Sequence, residues 1–519
     1  MTSSRLSVPG AGLVGLLPVA AGLGVGHLVG GLVSPAASPL FAVGDTAIDL
    51  TPTWLKDFAV RTFGSYDKLV LLLGMAVVIA LFGVVAGLLS RRSRTPGVIL
   101  ILLLGAVAVV AVMTRPNAGA LDPLAPLAAL IANAVTFAVL HGWAVSNAVS
   151  NAASNAAQTA ETSSAGVSRR KLLAGSAAVA AGAGIAAAGG QLLAGRGGVE
   201  ASRAAVGRIV PTVPAPPIPA GADFAADGSP TFITPNRDFY RVDINLTLPR
   251  LRAEDWRLRV HGMVARELTL DWSALTSRPL VERTVTMTCV SNEIGGPYIS
   301  TANFTGVLLA DILDEAGLQR GADQVFTTSV DGWTCGTPTA DIADPSRQAM
   351  LVIGMNSEPL PIEHGFPVRM LVPGLYGFVS GTKWITDMEL TTFDAKRAYW
   401  LQRNWAQRAP IKTMSRIDSP GSFSRVRPDT PITGVAWAQT RGIEKVEVRV
   451  DRGEWRPAEL AAEVNVDTWR MFRLRGRWEA GSHVAEVRAT DRSGYTQTGD
   501  RAAPIPDGAS GWHSVQFTV

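Results

Sequence analysis

Cys289 stands where a strand-like run gives way to a loop. The run, residues 282–288, alternates threonines with Val285 and Met287, and the loop begins with Val290-Ser291-Asn292. A thiolate at such a transition can ligate a soft metal or act as a nucleophile. A cysteine after a strand can equally be an inert core residue, so this position alone leaves both interpretations open.

A second group of reactive side chains lies in a stretch rich in proline and glycine, residues 358–384. It contains His364, Arg369, Thr382 and Lys383, whose donors suit a phosphate or a polar heterocycle. The spacing is not that of a P-loop or a dinucleotide fold. The stretch therefore predicts a site for an anionic, non-nucleotide cofactor, with a structural loop carrying solvated charges as the alternative.

The secondary-structure elements that position these residues belong to a chain whose two parts differ in composition. A chain of 519 residues exceeds what one hydrophobic core supports. Apolar and small residues dominate 11–195, whereas charges crowd the part after Arg237. The formal charge of +4 is too small to indicate a nucleic-acid partner. Composition thus predicts a membrane part followed by a soluble part.

Five stretches in the first part are apolar enough to cross a bilayer, which takes about 20 residues. Basic clusters at 91–94 and 168–171 flank them. If both clusters are cytoplasmic, residues 196–519 lie outside the cytoplasmic membrane, which makes the chain a multi-pass membrane protein. The scarcity of charge within the spans disfavours a transporter. The predicted spans are 11–33, 69–89, 96–113, 124–145 and 172–195.

Three segments around the last span have distinct compositions. Residues 168–173 read Ser-Arg-Arg-Lys-Leu-Leu and resemble a twin-arginine export signal placed inside the chain, with ordinary topology charges as the alternative. That pathway exports folded proteins. Residues 146–167 are polar and of low complexity, which predicts a cytoplasmic linker. The proline-rich residues 196–231 predict a semi-rigid extended spacer.

No haem is predicted. The chain has no Cys-x-x-Cys-His motif, and His27 and His141 lie toward opposite ends of their spans, so they could not share one haem. Helix packing or positions near the loop ends explain both histidines. With only Cys289 and Cys335, the chain has no disulfide framework.

The soluble part divides into two predicted domains. In residues 232–400, apolar runs at 281–289, 324–330 and 350–354 combine with a predicted helix at 306–315, which indicates an α+β domain. Residues 401–519 show period-two alternation, which predicts an all-β sandwich. The alternating runs include 446–451, 472–475 and 485–490.

Several motifs in the soluble part together resemble the sulfite oxidase family. They are Thr-Pro-Asn-Arg-Asp-Phe-Tyr at 234–240, the Cys289 loop, His-Gly-Phe-Pro-Val-Arg at 364–369 and Gly-Thr-Lys-Trp at 381–384. The resemblance covers about 230–519, because the family has an immunoglobulin-like dimerisation domain after its molybdopterin domain. For these residues it implies an α+β sulfite-oxidase-type molybdopterin domain, then an all-β immunoglobulin-like sandwich that forms a homodimer. With the spans predicted from composition, the expected fold is a five-helix transmembrane anchor followed by these two domains.

The resemblance also implies a molybdenum-molybdopterin cofactor and roles for particular residues. Cys289 would be the single thiolate ligand of the metal, and Tyr399 would lie beside the metal. The residues along the pterin and its phosphate would be Asn236, Tyr240, Arg241, Asp331, His364, Arg369, Thr382 and Lys383.

The chemistry implied by the family is oxygen-atom transfer on a small substrate, sulfite-like or sulfoxide-like, with electrons exchanged with a separate protein. One departure concerns the substrate. Sulfite oxidases have an anion-binding arginine four residues after the cysteine, where this chain has Glu293, and a carboxylate there would repel sulfite. The rival hypothesis is a membrane-anchored binding or adhesion module with a degenerate oxidoreductase fold.

Overall fold

The computed structural model describes residues 6–63, 66–116, 118–156, 169–195 and 198–519. These residues form two compact units. The helical unit comprises Met1–Gly197 with Asp243–Pro249, and the sheet unit comprises Gly198–Val242 with Arg250–Val519.

The described residues of the helical unit form seven α-helices. They are α1 (Val8–Val33), α2 (Pro39–Leu50), α3 (Thr53–Phe63), α4 (Asp67–Leu89), α5 (Thr95–Met113), α6 (Leu124–Ala156) and α7 (Arg169–Gly195). Five of them, all but α2 and α3, are long and apolar enough to cross a membrane, so the five long apolar helices expected from the sequence are present. Helices α2 and α3 were not predicted as spans, because they are short and charged residues interrupt their apolar runs.

Small residues bring the apolar helices of this unit into close contact. A Cβ atom added to Gly15 would lie 1.9 Å from the carbonyl oxygen of Gly83, and one added to Gly87 would lie 1.9 Å from that of Ala11. Glycine allows this approach of α1 to α4. His27 Nδ1 lies 3.0 Å from Ser38 Oγ, and His141 Nε2 lies 2.9 Å from the Ser90 carbonyl oxygen, so both histidines have hydrogen-bond partners within this unit.

The predicted linker at 146–167 is corrected in its first half. Helix α6 continues through it to Ala156, because its alanines sustain a helix that the polar asparagines and serines do not break. The remaining linker residues lie outside the described part of the chain, as does Ser168 of the predicted export signal.

A short segment from the predicted molybdopterin domain belongs to the helical unit. Within that unit, the Leu246 N–H donates to Asp45 Oδ1 at 2.9 Å, and Lys68 Nζ donates to the Asn245 carbonyl oxygen at 2.7 Å. The predicted boundaries of 232–400 therefore describe a domain that is interrupted at Asp243–Pro249.

The first half of the sheet unit is an α+β arrangement, as predicted. Its helices are α8 (Val199–Val206), α9 (Trp272–Thr276), α10 (Leu309–Ala316) and α11 (Thr339–Ala343). Its strands are β1 (Arg257–Gly262), β2 (Leu268–Asp271), β3 (Val281–Thr288), β4 (Ile299–Leu308), β5 (Gln324–Ser329), β6 (Thr334–Pro338), β7 (Met350–Met355), β8 (Glu358–Pro359), β9 (Arg369–Leu371) and β10 (Ile385–Thr391).

These strands form two sheets. One has the order β2-β1-β10-β5-β6, and the other has the order β3-β4-β7-β8, with β9 also paired to β7. The three apolar runs became β3, β5 and β7, which confirms those strands. The predicted helix at 306–315 begins later, at Leu309, because Gly306–Leu308 pair with β7 at the end of β4.

The second half of the sheet unit is entirely β, as the alternating residues predicted. Its strands are β11 (Met414–Ser419), β12 (Ser424–Arg425), β13 (Ile432–Trp437), β14 (Ile443–Val450), β15 (Arg456–Pro457), β16 (Glu459–Leu460), β17 (Arg470–Leu474), β18 (Ser482–Asp491) and β19 (His513–Thr518). They form the sheets β11-β13-β17-β16 and β12-β19-β18-β14-β15. Inward residues such as Val446, Phe472 and Phe517 make up its core.

The predicted spacer at 196–231 is corrected over much of its length. Helix α8 lies within it, and Arg203 Nε donates to the Leu360 carbonyl oxygen at 2.8 Å. Farther along, the Thr212 N–H donates to the Leu280 carbonyl oxygen at 2.7 Å. Proline content predicted an extended backbone but not that this backbone would pack against the sheet unit.

We therefore expect Arg203→Ala to loosen this segment. The guanidinium donates to two carbonyl oxygens and pairs with Glu358, and bonds from a charged donor contribute about 2 kcal/mol. Cleavage by a protease within residues 198–216 should accelerate, as followed by mass spectrometry. The exposed Arg237→Ala serves as the control. Equal cleavage rates in the two variants would contradict the packing role of α8.

Candidate functional site

Cys289 follows β3 directly and begins a tight loop. The Cys289 N–H donates to the Tyr298 carbonyl oxygen at 3.0 Å, and the Asn292 N–H donates to the Cys289 carbonyl oxygen at 3.1 Å. Asn292 is buried, and its Oδ1 accepts from the Tyr298 N–H at 2.8 Å. These bonds fix the backbone around the half-buried cysteine.

The surroundings of the Cys289 thiol act on its pKa in opposite directions. Burial raises the pKa, whereas hydrogen bonds from Ser291 and the positive charge of Lys383 lower it, with burial the larger effect. The influence of Lys383 links the cysteine to the second group of predicted site residues. The sequence placed these two residues 94 positions apart and gave no distance between them.

The loop that carries this second group, residues 361–369, depends on one glycine. Gly365 has a φ of +108°, and an added Cβ would lie 3.0 Å from Arg369 Cβ and 3.1 Å from Lys383 Cβ. A side chain at this position would be strained and crowded. Glycine thus lets the backbone pass close to both basic residues.

His364 and Arg369 are buried donors. Their residues are only 3% and 5% exposed. His364 Nε2 lies 3.3 Å from the Asn236 carbonyl oxygen, and Arg369 donates through its NH1 to the His364 carbonyl oxygen at 3.3 Å. A guanidinium keeps its charge when it is buried, and its donors suit an anion.

Thr382 and Lys383 lie beside this loop. Thr382 is fully buried, and its Oγ1 is 2.6 Å from Thr327 Oγ1. Lys383 Nζ donates to the carbonyl oxygens of Glu363 at 3.0 Å and Val242 at 3.2 Å. Two backbone segments thus hold the ammonium group in position.

Asn236 and Tyr240 belong to the same assembly of residues. Asn236 Oδ1 accepts from Asn356 Nδ2 at 2.8 Å, and the Tyr240 N–H donates to Ser300 Oγ at 3.2 Å. Burial raises the pKa of the Tyr240 phenol, the charge of Cys289 raises it further, and Arg369 opposes the shift. Tyr240 therefore lies within electrostatic range of both groups. Arg241, the next residue, is exposed.

Two predicted residues are positioned by other contacts. Asp331 Oδ1 accepts from the Trp333 N–H at 3.1 Å in the turn between β5 and β6. The Tyr399 N–H donates to Thr334 Oγ1 at 2.9 Å, and the Arg403 guanidinium lies 3.5 Å from the centre of the tyrosine ring. None of these contacts involves Cys289, so a role for either residue stays a prediction.

The far end of the cysteine loop is held by the all-β half. Arg416 NH1 donates to the Gly296 carbonyl oxygen at 2.8 Å. Gly295 has a φ of +75°, and an added Cβ would lie 2.2 Å from His513 Nε2. Sequence reasoning missed Arg416, His513 and Ser291. The Gly295-Gly296 pair was the only local sign of such a close approach.

These residues fit a molybdenum-molybdopterin group by the chemistry of their donors. A thiol suits a soft metal, and buried guanidinium, imidazole and hydroxyl groups suit a phosphate and a polar heterocycle. The residues that would hold the group are Cys289 for the metal, with Asn236, Tyr240, His364, Arg369, Thr382 and Lys383 for the pterin.

Comparison with known proteins identifies the α+β half. Residues 245–400 match the family described as "Oxidoreductase molybdopterin binding domain". Human mitochondrial sulfite oxidase is 29% identical over 341 residues, which cover 56% of this chain and 62% of that protein. The nitrate reductase [NADPH] of Emericella nidulans is 27% identical over 46% of this chain and 33% of its own length.

This chain therefore spans 62% of the length of the human and rat sulfite oxidases that it matches. Among solved structures, the sulfane dehydrogenase SoxCD from Paracoccus pantotrophus is similar, with a TM-score of 0.46 and 22% identity over 54% of this chain and 79% of that one.

The contacts of His513 predict an acid-sensitive sheet unit. Burial, Arg416 and Arg501 lower its pKa from 6.5 to about 4, and its Nδ1 accepts the Ile417 N–H at 3.0 Å. The unfolded chain binds the proton more readily, so the stability that depends on neutral His513 is complete above pH 6.5 and is lost as the pH falls toward 4.

We expect the melting temperature of the sheet unit to fall between pH 7 and pH 5 more steeply in the native chain than in His513→Asn, which keeps an acceptor but does not titrate. Thermal unfolding at both pH values measures this, and the carboxyl groups contribute equally to both proteins. Parallel pH dependences would contradict the assignment.

Proposed function

Because this chain belongs to the sulfite oxidase family of molybdopterin oxidoreductases, we propose that its sheet unit binds molybdenum-molybdopterin and catalyses oxygen-atom transfer on a small substrate. Electrons would be exchanged with a separate electron-transfer protein. The bound group would supply a metal that gives or takes an oxygen atom while its oxidation state changes by two electrons.

The observation that carries this proposal is the position of Cys289 relative to the buried donors. The Cys289 N–H donates to the Tyr298 carbonyl oxygen at 3.0 Å, and the ring centres of Tyr298 and Tyr240 lie 6.4 Å apart. The charge of Lys383 lowers the pKa of the Cys289 thiol, and that of Arg369 lowers the pKa of the Tyr240 phenol. A lone buried cysteine would need no such neighbours. A thiol beside a set of anion-binding donors is the arrangement expected of a metal ligand next to a phosphate-bearing cofactor.

Each residue would have a defined task. Cys289 must lose its proton to bind the metal, and the Lys383 ammonium favours the resulting thiolate. His364 and Arg369 would bind the phosphate, and Thr382 would donate to a polar edge of the pterin. Tyr240, whose raised pKa keeps the phenol protonated, would act as a donor. We retain Arg241, Asp331 and Tyr399 as weaker members of this proposed set.

Glu293 bears on the substrate. It occupies the position of the anion-binding arginine of sulfite oxidases, and it is exposed. An exposed carboxylate is screened by water and repels an anion less than a buried one would. Both a sulfite-like anion and a sulfoxide-like neutral substrate are therefore kept as proposed classes, with a neutral substrate favoured by the lost cation.

We also propose a membrane location and a dimer. Five apolar helices, with Arg91, Arg92 and Arg94 between α4 and α5 on the cytoplasmic side, would place the sheet unit outside the cytoplasmic membrane. The two-sheet all-β half would be an immunoglobulin-like domain that forms the homodimer. The internal twin-arginine signal would allow the cofactor to be inserted before export.

Metal content tests the cofactor. Full-length native protein from a host that makes molybdopterin should contain about one molybdenum atom per chain by elemental mass spectrometry, as a single thiolate ligand implies. Cys289→Ser should lose most of it, because a hydroxyl is a poor ligand for this metal. Cys335→Ser is the matched control and should keep its molybdenum.

Absence of metal from the native chain, when a known molybdoenzyme made in parallel is loaded, would favour the rival binding module. Equal loss in the two cysteine variants would show that folding and not ligation is affected.

Charge-preserving variants test the export signal. Arg169→Lys with Arg170→Lys keeps both positive charges, so topology set by charge alone should be unaffected. If the twin-arginine pathway is used, the double variant should not be exported. A reporter fused after Val519 of this variant should then show no extracytoplasmic activity in intact cells. Lys171→Arg, which keeps both arginines, is the control. Full export of the double variant would contradict the signal.

A further inference from the structure

Strand β3, which carries Cys289 at its end, is the edge strand of its sheet. The outward backbone groups of an edge strand lack partners within the sheet. Here residues of the all-β half act as the hydrogen-bond partners of these groups. The Thr286 N–H donates to the Asp467 carbonyl oxygen at 3.0 Å, and Gln439 Nε2 donates to the Thr286 carbonyl oxygen at 3.1 Å.

The same half also contacts the loop after the cysteine. Arg416 NH1 donates to the Gly296 carbonyl oxygen, and the Gly296 N–H donates to the Glu293 carbonyl oxygen at 2.9 Å. The turn from Glu293 to Gly296 is therefore fixed at its end by Arg416. The segment from 286 to 296 is thus held on both sides of Cys289 by residues far away in the sequence.

We propose that Arg416 and Gln439 of the all-β half are positioning residues that immobilise the Cys289 segment. This half would then be a structural part of the proposed active centre as well as a dimerisation domain. Gln439 sets the end of β3 through Thr286 and Thr288, and Arg416 sets the loop through Gly296. The inference rests on the proposed function only where it treats Cys289 as the ligand.

The charge environment of Arg416 determines how the test must be built. Arg416 is 12% exposed and pairs with Asp418, whose contact with Arg416 Nε is 2.8 Å. Removal of the arginine alone would leave a buried carboxylate without its counter-charge, which destabilises a protein by itself. The comparison is therefore made between Asp418→Asn and the double variant Asp418→Asn with Arg416→Gln.

Thiol reactivity measures the mobility of the segment without any metal. Full-length chains are made in a host that lacks molybdopterin, and maleimide labelling of Cys289 is followed by peptide mass spectrometry, with the buried Cys335 as an internal reference. In the double variant, which lacks the bond from Arg416 to Gly296, Cys289 should be labelled about five-fold faster than in Asp418→Asn. The labelling rate of Cys335 should be the same in both proteins. Asp418→Asn with Arg416→Lys should restore part of the difference, because lysine can still donate to Gly296.

Gln439→Met tests the second contact in the same way. Its side chain has a similar length and keeps the buried site filled but cannot donate. We expect a similar rise in the maleimide labelling rate of Cys289, with no change in that of Cys335.

Two outcomes would overturn the proposal. Unchanged Cys289 rates in the Arg416 and Gln439 variants would show that the loop holds its own conformation. A parallel rise at Cys289 and Cys335 would show general loosening of the sheet unit. Because the assay contains no metal, a native chain that binds no molybdenum would refute the proposed function and leave this result standing.

Discussion

The outer edge of β3, which has no neighbouring strand in its sheet, is the constraint on which the rest of the sheet unit depends. A strand that ends in the proposed metal ligand cannot leave its outward N–H and carbonyl groups without partners, because buried unpaired groups are costly and exposed edges invite pairing with other chains. Its first residues pair with the proline-rich segment 196–231, where the Glu282 N–H donates to the Val213 carbonyl oxygen at 2.8 Å. Its last residues are covered by Gln439 and Asp467.

This constraint joins segments that look independent in the sequence. A proline-rich stretch, a strand with a cysteine and a β sandwich would fold separately if each had its own edges satisfied. Their hydrogen bonds to β3 make them one unit instead, which agrees with the grouping of 198–242 and 250–519. A domain boundary drawn from composition alone, at about 400, therefore separates sequence patterns more than it separates structure.

Local patterns predicted the elements but not these contacts. The apolar runs around Val285, Val325 and Val352 predicted three strands, because burial on both faces requires such runs. The amphipathic α2 and α3 were missed, since the search for long uncharged spans excludes them. Arg416 and Gly296 are 120 residues apart, and no periodicity links positions that meet only after both domains have folded.

The proposed site residues divide into buried ones, which have many fixed contacts, and exposed ones. His364, Arg369 and Thr382 are buried and tied to backbone carbonyls or to other side chains, so a change at any of them leaves an unpaired group in the interior. Glu293 is exposed, and substitutions at exposed positions usually change stability little. Selection can therefore exchange the residue proposed to face the substrate without loss of the donors proposed to hold the cofactor. The buried donors are thus more tightly constrained than position 293, which is why a carboxylate can stand there without disturbing them.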